Sequence, residues 1–336
     1  MEQGLLQAKL CPEMVGVVRK TVLVQLNKYK ELFQSDKNRY YLKEQIKITK
    51  KFFPEVIEEV KGLARGFKLK MVDLFCFYHL RILLDMDGCT SWAVSLKNEA
   101  ILGKNRDLAD GSHALQRVFI HQDPDRQHKK VLSVGSLGSP CAYSSGINSK
   151  GFSLADTSIL TLDHGLGACR YFLMPFLLRT CSSVDQALKK ISDLPHAGGG
   201  SLTMADQNAV VAVVELGHYH QDIEKNKSWQ VKTNHFTSDL LSSSNVKSGR
   251  QSNLKNSTNR LNFMNTRMPD IYQNFDLKKA IELVKSHDQK NVSGICRHPG
   301  KGRSSTISSA IYTCTEKKLS FSDGNPCNSY WYKFSL

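Results

Sequence analysis

The chain has 336 residues, of which 40% are hydrophobic and 23% charged, and its formal net charge at pH 7 is +15. That length allows one large domain or two ordinary ones, and the composition excludes a disordered or fibrous chain. The positive charge permits anionic partners, but the basic clusters lack interleaved aromatics, so no nucleic-acid surface is expected.

The first eighteen residues contain no apolar run of the secretory type, and Glu2 stands where such a leader would want positive charge. Residues 71–84 form the strongest apolar run, but Asp73, His79 and Arg81 interrupt it, so no membrane span is expected. These features lead to the expectation of a soluble, cytoplasmic protein. The cysteine count of nine is odd, and the cysteines are scattered without any CxxC pair. No disulfide framework and no zinc site are expected, and most of these cysteines read as small buried hydrophobes.

Residues 1–87 read as helical. Pro54 suits a first helical turn, Val56, Ile57, Val60, Leu63 and Ala64 recur at helical spacing, and Gly66 is a plausible stop. A second helical run covers 71–84. At Cys89 the period changes to that of strands: 90–96 and 100–105 form a hairpin around Lys97-Asn98-Glu99. Further strands are expected at 117–121, 130–134, 142–147 and 152–157. Two helices at 171–180 and 183–191 follow, then strands at 201–204, 209–216 and 229–233. Residues 237–259 are polar and Ser/Asn-rich and read as a long surface loop. A helix over 277–287 with Asp276 as N-cap precedes a last hairpin, 306–313 with 318–322. Blocks of helices and blocks of strands, rather than alternating βαβ units, indicate an α+β class with layered packing.

The chemistry concentrates at Asp87-Gly88-Cys89-Thr90-Ser91. If the bond after Gly88 breaks, Cys89 becomes a new N-terminus that carries both a thiol and an α-amine. That amine titrates at roughly 7.7–8.0, so it can take the thiol proton at neutral pH. A buried cysteine at a strand start is the alternative for this tripeptide alone.

Other patches keep it company: Phe53 to Ala64 upstream, then Gly103-Lys104-Asn105-Arg106-Asp107, Gly146 to Gly151, Thr233-Asn234-His235 and Gly302-Arg303-Ser304. As an ordered set they resemble the acyl-CoA:6-aminopenicillanate (isopenicillin N) acyltransferase family. These are N-terminal-nucleophile hydrolases related to bile-salt hydrolases and penicillin V acylases. The resemblance runs from about Phe53 to Asp323. It implies a four-layer αββα sandwich and self-cleavage between Gly88 and Cys89. Residues 1–88 would then be a helical N-terminal segment and 89–336 the catalytic core, held together as a heterodimer of fragments, with further oligomerisation open.

By the same resemblance Cys89 is the nucleophile, Asp107 holds the new ammonium group, Asn234 donates to the oxyanion and Arg303 is a site cation. Each has an ordinary alternative: a turn or ion-pair aspartate, a strand-capping asparagine, a surface arginine. Arg106, Asp156, Thr157 and His235 fall at pocket positions. Arg106 stands where the penicillin-type branch has an aromatic residue, and Ala155-Asp156-Thr157 replaces that branch's polar and aromatic pocket, so a penicillin substrate is not expected. Asp156 could meet a cationic or amino-bearing group.

The expected activity is hydrolysis of a linear amide through a thioester, with no metal and no cofactor. The alternative is transfer from acyl-CoA, which would be a substrate. A reading of a different class is a non-catalytic basic binding protein on the same scaffold, and a third is an ordinary Cys–His hydrolase using an internal cysteine with His79 or His235 and no cleavage.

Overall fold

The structure is a computed structural model and describes residues 1–84, 88–108, 113–123, 126–225, 227–247, 254–287, 294–298 and 304–336. Six helices come first: α1 (Glu2–Leu10), α2 (Val15–Lys28), α3 (Lys30–Gln34), α4 (Asp36–Phe52), α5 (Pro54–Gly66) and α6 (Met71–Leu83). Helix α5 begins with Pro54 at its first turn, where the missing N–H is not needed, and buries Val56, Ile57, Val60, Leu63 and Ala64 as their spacing predicts. Gly4 and Gly62 let α1 and α5 touch backbone to backbone, since a Cβ on either would collide with the other helix.

The strands then form two antiparallel sheets. One has the order β10 (Trp229–Lys232), β1 (Gly88–Ser95), β2 (Ala100–Leu108), β11 (Ser305–Thr313), β12 (Lys318–Asp323), β13 (Trp331–Ser335). The other runs β3 (Gln116–Asp123), β4 (Arg126–Ser136), β5 (Ser145–Asn148), β6 (Ser153–Ser158), β7 (Gly200–Ala205), β8 (Val211–Leu216), β9 (Gln221–Lys225). Between β6 and β7 lie α7 (Arg170–Thr180) and α8 (Val184–Ser192), and between β10 and β11 lie α9 (Leu254–Tyr272) and α10 (Leu277–Lys285).

Three apolar clusters define the layers. The first joins α1, α2 and α4–α8 to one face of the seven-stranded sheet, through residues such as Leu63, Phe75, Phe172, Leu154 and Met204. The second lies between the sheets and includes Ala93, Leu102, Leu132, Ala155 and Tyr312. The third joins α9 and α10 to the outer face of the six-stranded sheet through Trp92, Ile101, Met264 and Leu283. Neighbouring residues on one strand, such as Trp92 and Ala93, fall in different clusters because successive strand side chains point to opposite faces. The result is the expected αββα stack.

Two departures from the sequence expectation concern this outer layer and the sheet edges. Helix α9 starts inside the stretch expected to be loop and continues through residue 272. It carries four asparagines and Pro269, so its propensity is poor. What holds it is one buried stripe, Ser257, Arg260, Met264 and Met268. Strands β9 and β13 are likewise unexpected. Both are edge strands, and their exposed or half-buried sequences carry little apolar pattern.

Polar contacts fasten the helices that precede Cys89 to the strands and helices that follow it. Glu59 of α5 is buried, accepts from the Cys141 N–H at 2.9 Å, and pairs with Arg179 of α7 at 2.5 Å. Burial opposes its ionisation, but Arg179 wins and holds the carboxyl below its usual range. Gln7 donates to Ser139 O and accepts from Gly138 N–H, and Tyr78 donates to Gly138 O.

His79 lies deep in the outer helical layer, stacked on Phe75 at 4.4 Å, with Nδ1 2.8 Å from Phe75 O and Nε2 without a hydrogen bond among the described residues. Burial lowers its pKa from 6.5 to about 4. A proton on Nε2 would find no acceptor among the described residues. The folded state thus binds this proton more weakly than the unfolded chain. The stability from a neutral His79 is complete above pH 6.5 and is lost as pH falls from there toward about 4, by up to about 3 kcal/mol. His79→Leu should therefore flatten the fall in melting temperature between pH 7 and pH 4. Equal slopes in the two proteins would show that His79 is not the acid-sensitive group.

Candidate active site

Register brings the expected residues together. Across the β1–β2 hairpin Gly88 faces Asp107 and Cys89 faces Arg106, while β10 pairs Ser91 with Lys232. That second pairing carries Thr233-Asn234-His235 alongside Cys89. The Cys89 N–H donates to Asn234 Oδ1 at 2.9 Å. Pleating divides the site into two faces. Cys89, Ser91, Lys104 and Arg106 alternate with Trp92 and Ile101 and lie toward the seven-stranded sheet. Gly88, Thr90, Asn105 and Asp107 lie toward α9 and α10.

Asn234 presents its side-chain carbonyl oxygen, not its amide NH2, to Cys89. Oδ1 accepts from Cys89 N–H and from Arg260 Nη2 at 2.6 Å, while Nδ2 donates to Ser158 O at 2.7 Å. Two donors converge on one atom, so that atom must be the oxygen. Oxyanion donation is left to the second Nδ2 proton.

Arg260, which the sequence reading missed, is the hub. It is fully buried, and its Nη1 donates to Cys89 O at 2.5 Å and to Thr90 Oγ1 at 2.8 Å. Its Nε donates to Asn256 Oδ1 at 2.9 Å. An arginine on the buried stripe of a helix is the signal that could have found it, but only once α9 is recognised as a helix. His235 helps place it. His235 Nδ1 lies 2.7 Å from Ser257 Oγ, and Thr233 Oγ1 donates to Ser257 O at 3.0 Å, so both clamp α9 one turn before Arg260. Burial lowers the His235 pKa to about 4, so the imidazole stays neutral. It is bound into this clamp rather than paired with a thiol.

Asp107 sits under Gly88. Oδ1 accepts from Thr306 Oγ1 at 2.7 Å, and Oδ2 lies 3.5 Å from Arg297 Nη1 with no hydrogen bond among the described residues. Burial raises its pKa against the pull of Arg297, Arg260 and Thr306. A Cβ on Gly88 would come within 2.5 Å of Arg297 Nη1 and 3.2 Å of Asp107 Oδ2, so only glycine leaves this arrangement intact. Arg297 is a second site cation that the sequence reading did not name. Arg303, the expected one, lies outside the described residues.

The pocket residues divide. Arg106 donates to Gly135 O at 3.2 Å, Gln116 Oε1 at 3.3 Å and Ser136 Oγ at 2.9 Å, bridging the sheets directly across from Cys89. Thr157 Oγ1 lies 2.5 Å from Ser201 Oγ, next to the Ser158 carbonyl that holds Asn234. Asp156 departs from the expectation of an open carboxylate. One oxygen is 2.5 Å from Lys104 Nζ and the other 2.9 Å from Arg170 Nε, and these cations hold its pKa below the usual range despite burial. A buried carboxylate already paired twice offers no free oxygen to a cationic substrate. A cavity of about 630 Å³ opens beside β10 and α9, lined by Glu224, Lys227, Trp229, Gln230, Lys232 and Asn265 among others, and none of the expected site residues lines it.

The sequence model of the family described as acyl-coenzyme A:6-aminopenicillanic acid acyl-transferase matches residues 94–328, well over half the chain. The chain belongs to that family. The match to this acyltransferase family starts five residues after Cys89 and spans Asp107, Asn234, Arg260 and Arg297. No curated relative matches the sequence. Among solved structures, a variant of conjugated bile acid hydrolase from Clostridium perfringens aligns with a TM-score of 0.50 at 12% identity, covering 74% of this chain and 97% of that one. Penicillin V acylase from Agrobacterium tumefaciens aligns at 0.48 and 13% identity, covering 74% and 86%. The Caenorhabditis elegans N-acylethanolamine-hydrolyzing acid amidase ortholog aligns at 0.47 and 10%, covering 74% and 100%. At such identity the bile acid hydrolase likeness establishes the shared sandwich fold.

Proposed function

We propose that this acyltransferase-family chain is an amide-acting hydrolase that exposes Cys89 as its N-terminal nucleophile by cleaving itself after Gly88. The observation that carries the reading is the Cys89 N–H held by Asn234 Oδ1, itself held by Arg260. In self-cleavage the Cys89 thiol adds to the Gly88 carbonyl, the Gly88–Cys89 C–N bond breaks, and the acyl group passes to sulfur. Water then hydrolyses this thioester, leaving a Gly88 carboxylate, the free thiol and the new α-amine. Asn234 Oδ1 keeps its hydrogen bond to that nitrogen, and Asp107 Oδ2 supplies a nearby acceptor that lacks a hydrogen bond among the described residues.

In turnover the α-amine accepts the thiol proton, and the thiolate adds to the substrate carbonyl. Backbone N–H groups and the second Asn234 Nδ2 proton face the oxyanion. The ammonium protonates the departing amine, a thioester forms, and water releases the acid. A linear N-acyl amide is the substrate class proposed here, in line with the bile acid hydrolase whose sandwich this chain shares. The family description favours a second outcome, in which acyl-CoA donates the acyl group and an amine replaces water. After cleavage the two fragments stay together through contacts such as Glu59–Arg179. Among the described residues no helix is long and apolar enough to cross a membrane.

Intact-mass spectrometry of freshly purified protein tests the reading. Fragments 1–88 and 89–336 are expected, the latter reacting with a reagent specific for N-terminal cysteine. A stable full-length chain that still hydrolyses amides would mean an internal-cysteine mechanism. A stable full-length chain without activity would leave a basic binding protein. Release of coenzyme A from acyl-CoA plus an amine would identify the transferase.

A further inference from the structure

On the Arg297 side of the candidate site, four side chains from three separate parts of the chain converge. His287 follows α10, Cys296 and His298 flank Arg297 ahead of β11, and Cys327 lies between β12 and β13. Their donor atoms all lie within 4.8 Å of one another. His298 Nε2 is 3.4 Å from His287 Nε2, 3.3 Å from Cys327 Sγ and 3.9 Å from Cys296 Sγ.

A tetrahedral zinc with bonds of about 2.0–2.3 Å sets its ligand atoms roughly 3.3–3.8 Å apart, close to the three separations made by His298 Nε2, and the remaining pairs lie within 4.8 Å. Hydrogen bonding alone accounts for them poorly. One imidazole nitrogen has one proton or one lone pair and cannot serve three partners at once. A central cation lets all four lone pairs converge.

We propose that His287, Cys296, His298 and Cys327 bind a zinc ion that fastens the 294–298 segment to the body of the protein. Binding releases two protons as the two thiols become thiolates, so the Zn²⁺ charge is neutralised by the two sulfurs while both imidazoles stay neutral. Four protein ligands of this soft and borderline kind make a closed structural site for zinc, unsuited to Mg²⁺ or Ca²⁺. No CxxC pair announces it. The ligands are spaced H-x₈-C-x-H-x₂₈-C, and the fold alone brings them together.

The consequence reaches Cys89. Arg297 stands between two of the ligands. Its N–H donates to Thr306 Oγ1 at 2.8 Å, the same hydroxyl that donates to Asp107, and its Nη1 lies 2.9 Å from Ser304 Oγ. The zinc therefore makes Arg297 a positioning residue, held against Asp107 beneath Gly88.

Elemental analysis of the full chain, expressed in zinc-supplemented medium and purified without a metal column, tests this. About one zinc per chain is expected in wild type and in Cys11→Ser, and less than a tenth of that in Cys327→Ser and His287→Ala. Because the variants could misfold, reduced metal-free wild type is also titrated with Co²⁺. The visible bands of tetrahedral cobalt and a thiolate-to-cobalt absorption are expected, with slower amide exchange in 294–298 than in the metal-free chain. Wild type without stoichiometric metal and without the cobalt spectrum overturns the site. So does a Cys296–Cys327 disulfide in protein whose thiols were blocked at lysis. Both readouts are independent of whether Cys89 is ever exposed.

Discussion

Cys89→Ala is expected to accumulate as an unbroken chain and to lose amide turnover by a factor on the order of 10⁴ or more. The change deletes one sulfur from a side chain that is 5% exposed, so its cost in stability is modest, about 1 kcal/mol. The hydrogen bonds that the Cys89 backbone makes to Asn234 and receives from Arg260 survive the substitution. The loss is therefore chemical. Neither addition to the Gly88 carbonyl nor addition to a substrate can occur without the thiol. Mass spectrometry, an amide assay and a melting curve on the same sample check all three points. A Cys89→Ala protein that still splits after Gly88 would show that another nucleophile or a contaminating protease does the cutting.

Arg260→Met should lower both the rate of self-cleavage and kcat/KM by about 10²–10³. Its guanidinium joins the carbonyl of Cys89, the Thr90 hydroxyl and the Asn234 amide, and it orients the group that holds the nitrogen of the nucleophile. Methionine fills much of the volume but donates nothing, leaving buried acceptors unpaired. An unsatisfied group costs about 1–3 kcal/mol, partly offset because a buried charge is also removed. Arg260→Lys keeps the charge but not the fork, so it cannot reach three acceptors and should recover only part of the activity. Rates of fragment appearance, single-turnover kinetics and thermal melts separate the two effects. Wild-type processing in Arg260→Met would remove Arg260 from the site and leave it a structural tie for α9.

The layers were legible in the chain because periodicity records which face is buried. The α5 stripe, the β1–β2 hairpin and the Asp276 cap all lie where their residues indicate. Helix α9 was not legible because its asparagines and proline argue against a helix, and packing on the six-stranded sheet together with the Thr233 and His235 clamp holds it. Arg260 vanished with it. Asp156 failed as an open pocket carboxylate for a similar reason. Nothing local announces that Lys104, 52 residues away, and Arg170 will close on it.

The sequence by itself determined the α+β class and the helical segment ahead of Gly88-Cys89, because both depend on local period, while Asn234 was singled out only by the family resemblance. Tertiary structure alone decided which way the Asn234 amide faces, which arginines reach Cys89 and Asp107, and that two histidines and two cysteines meet. Those outcomes depend on strand register and on contacts spanning up to 199 residues, and no short window of sequence encodes them.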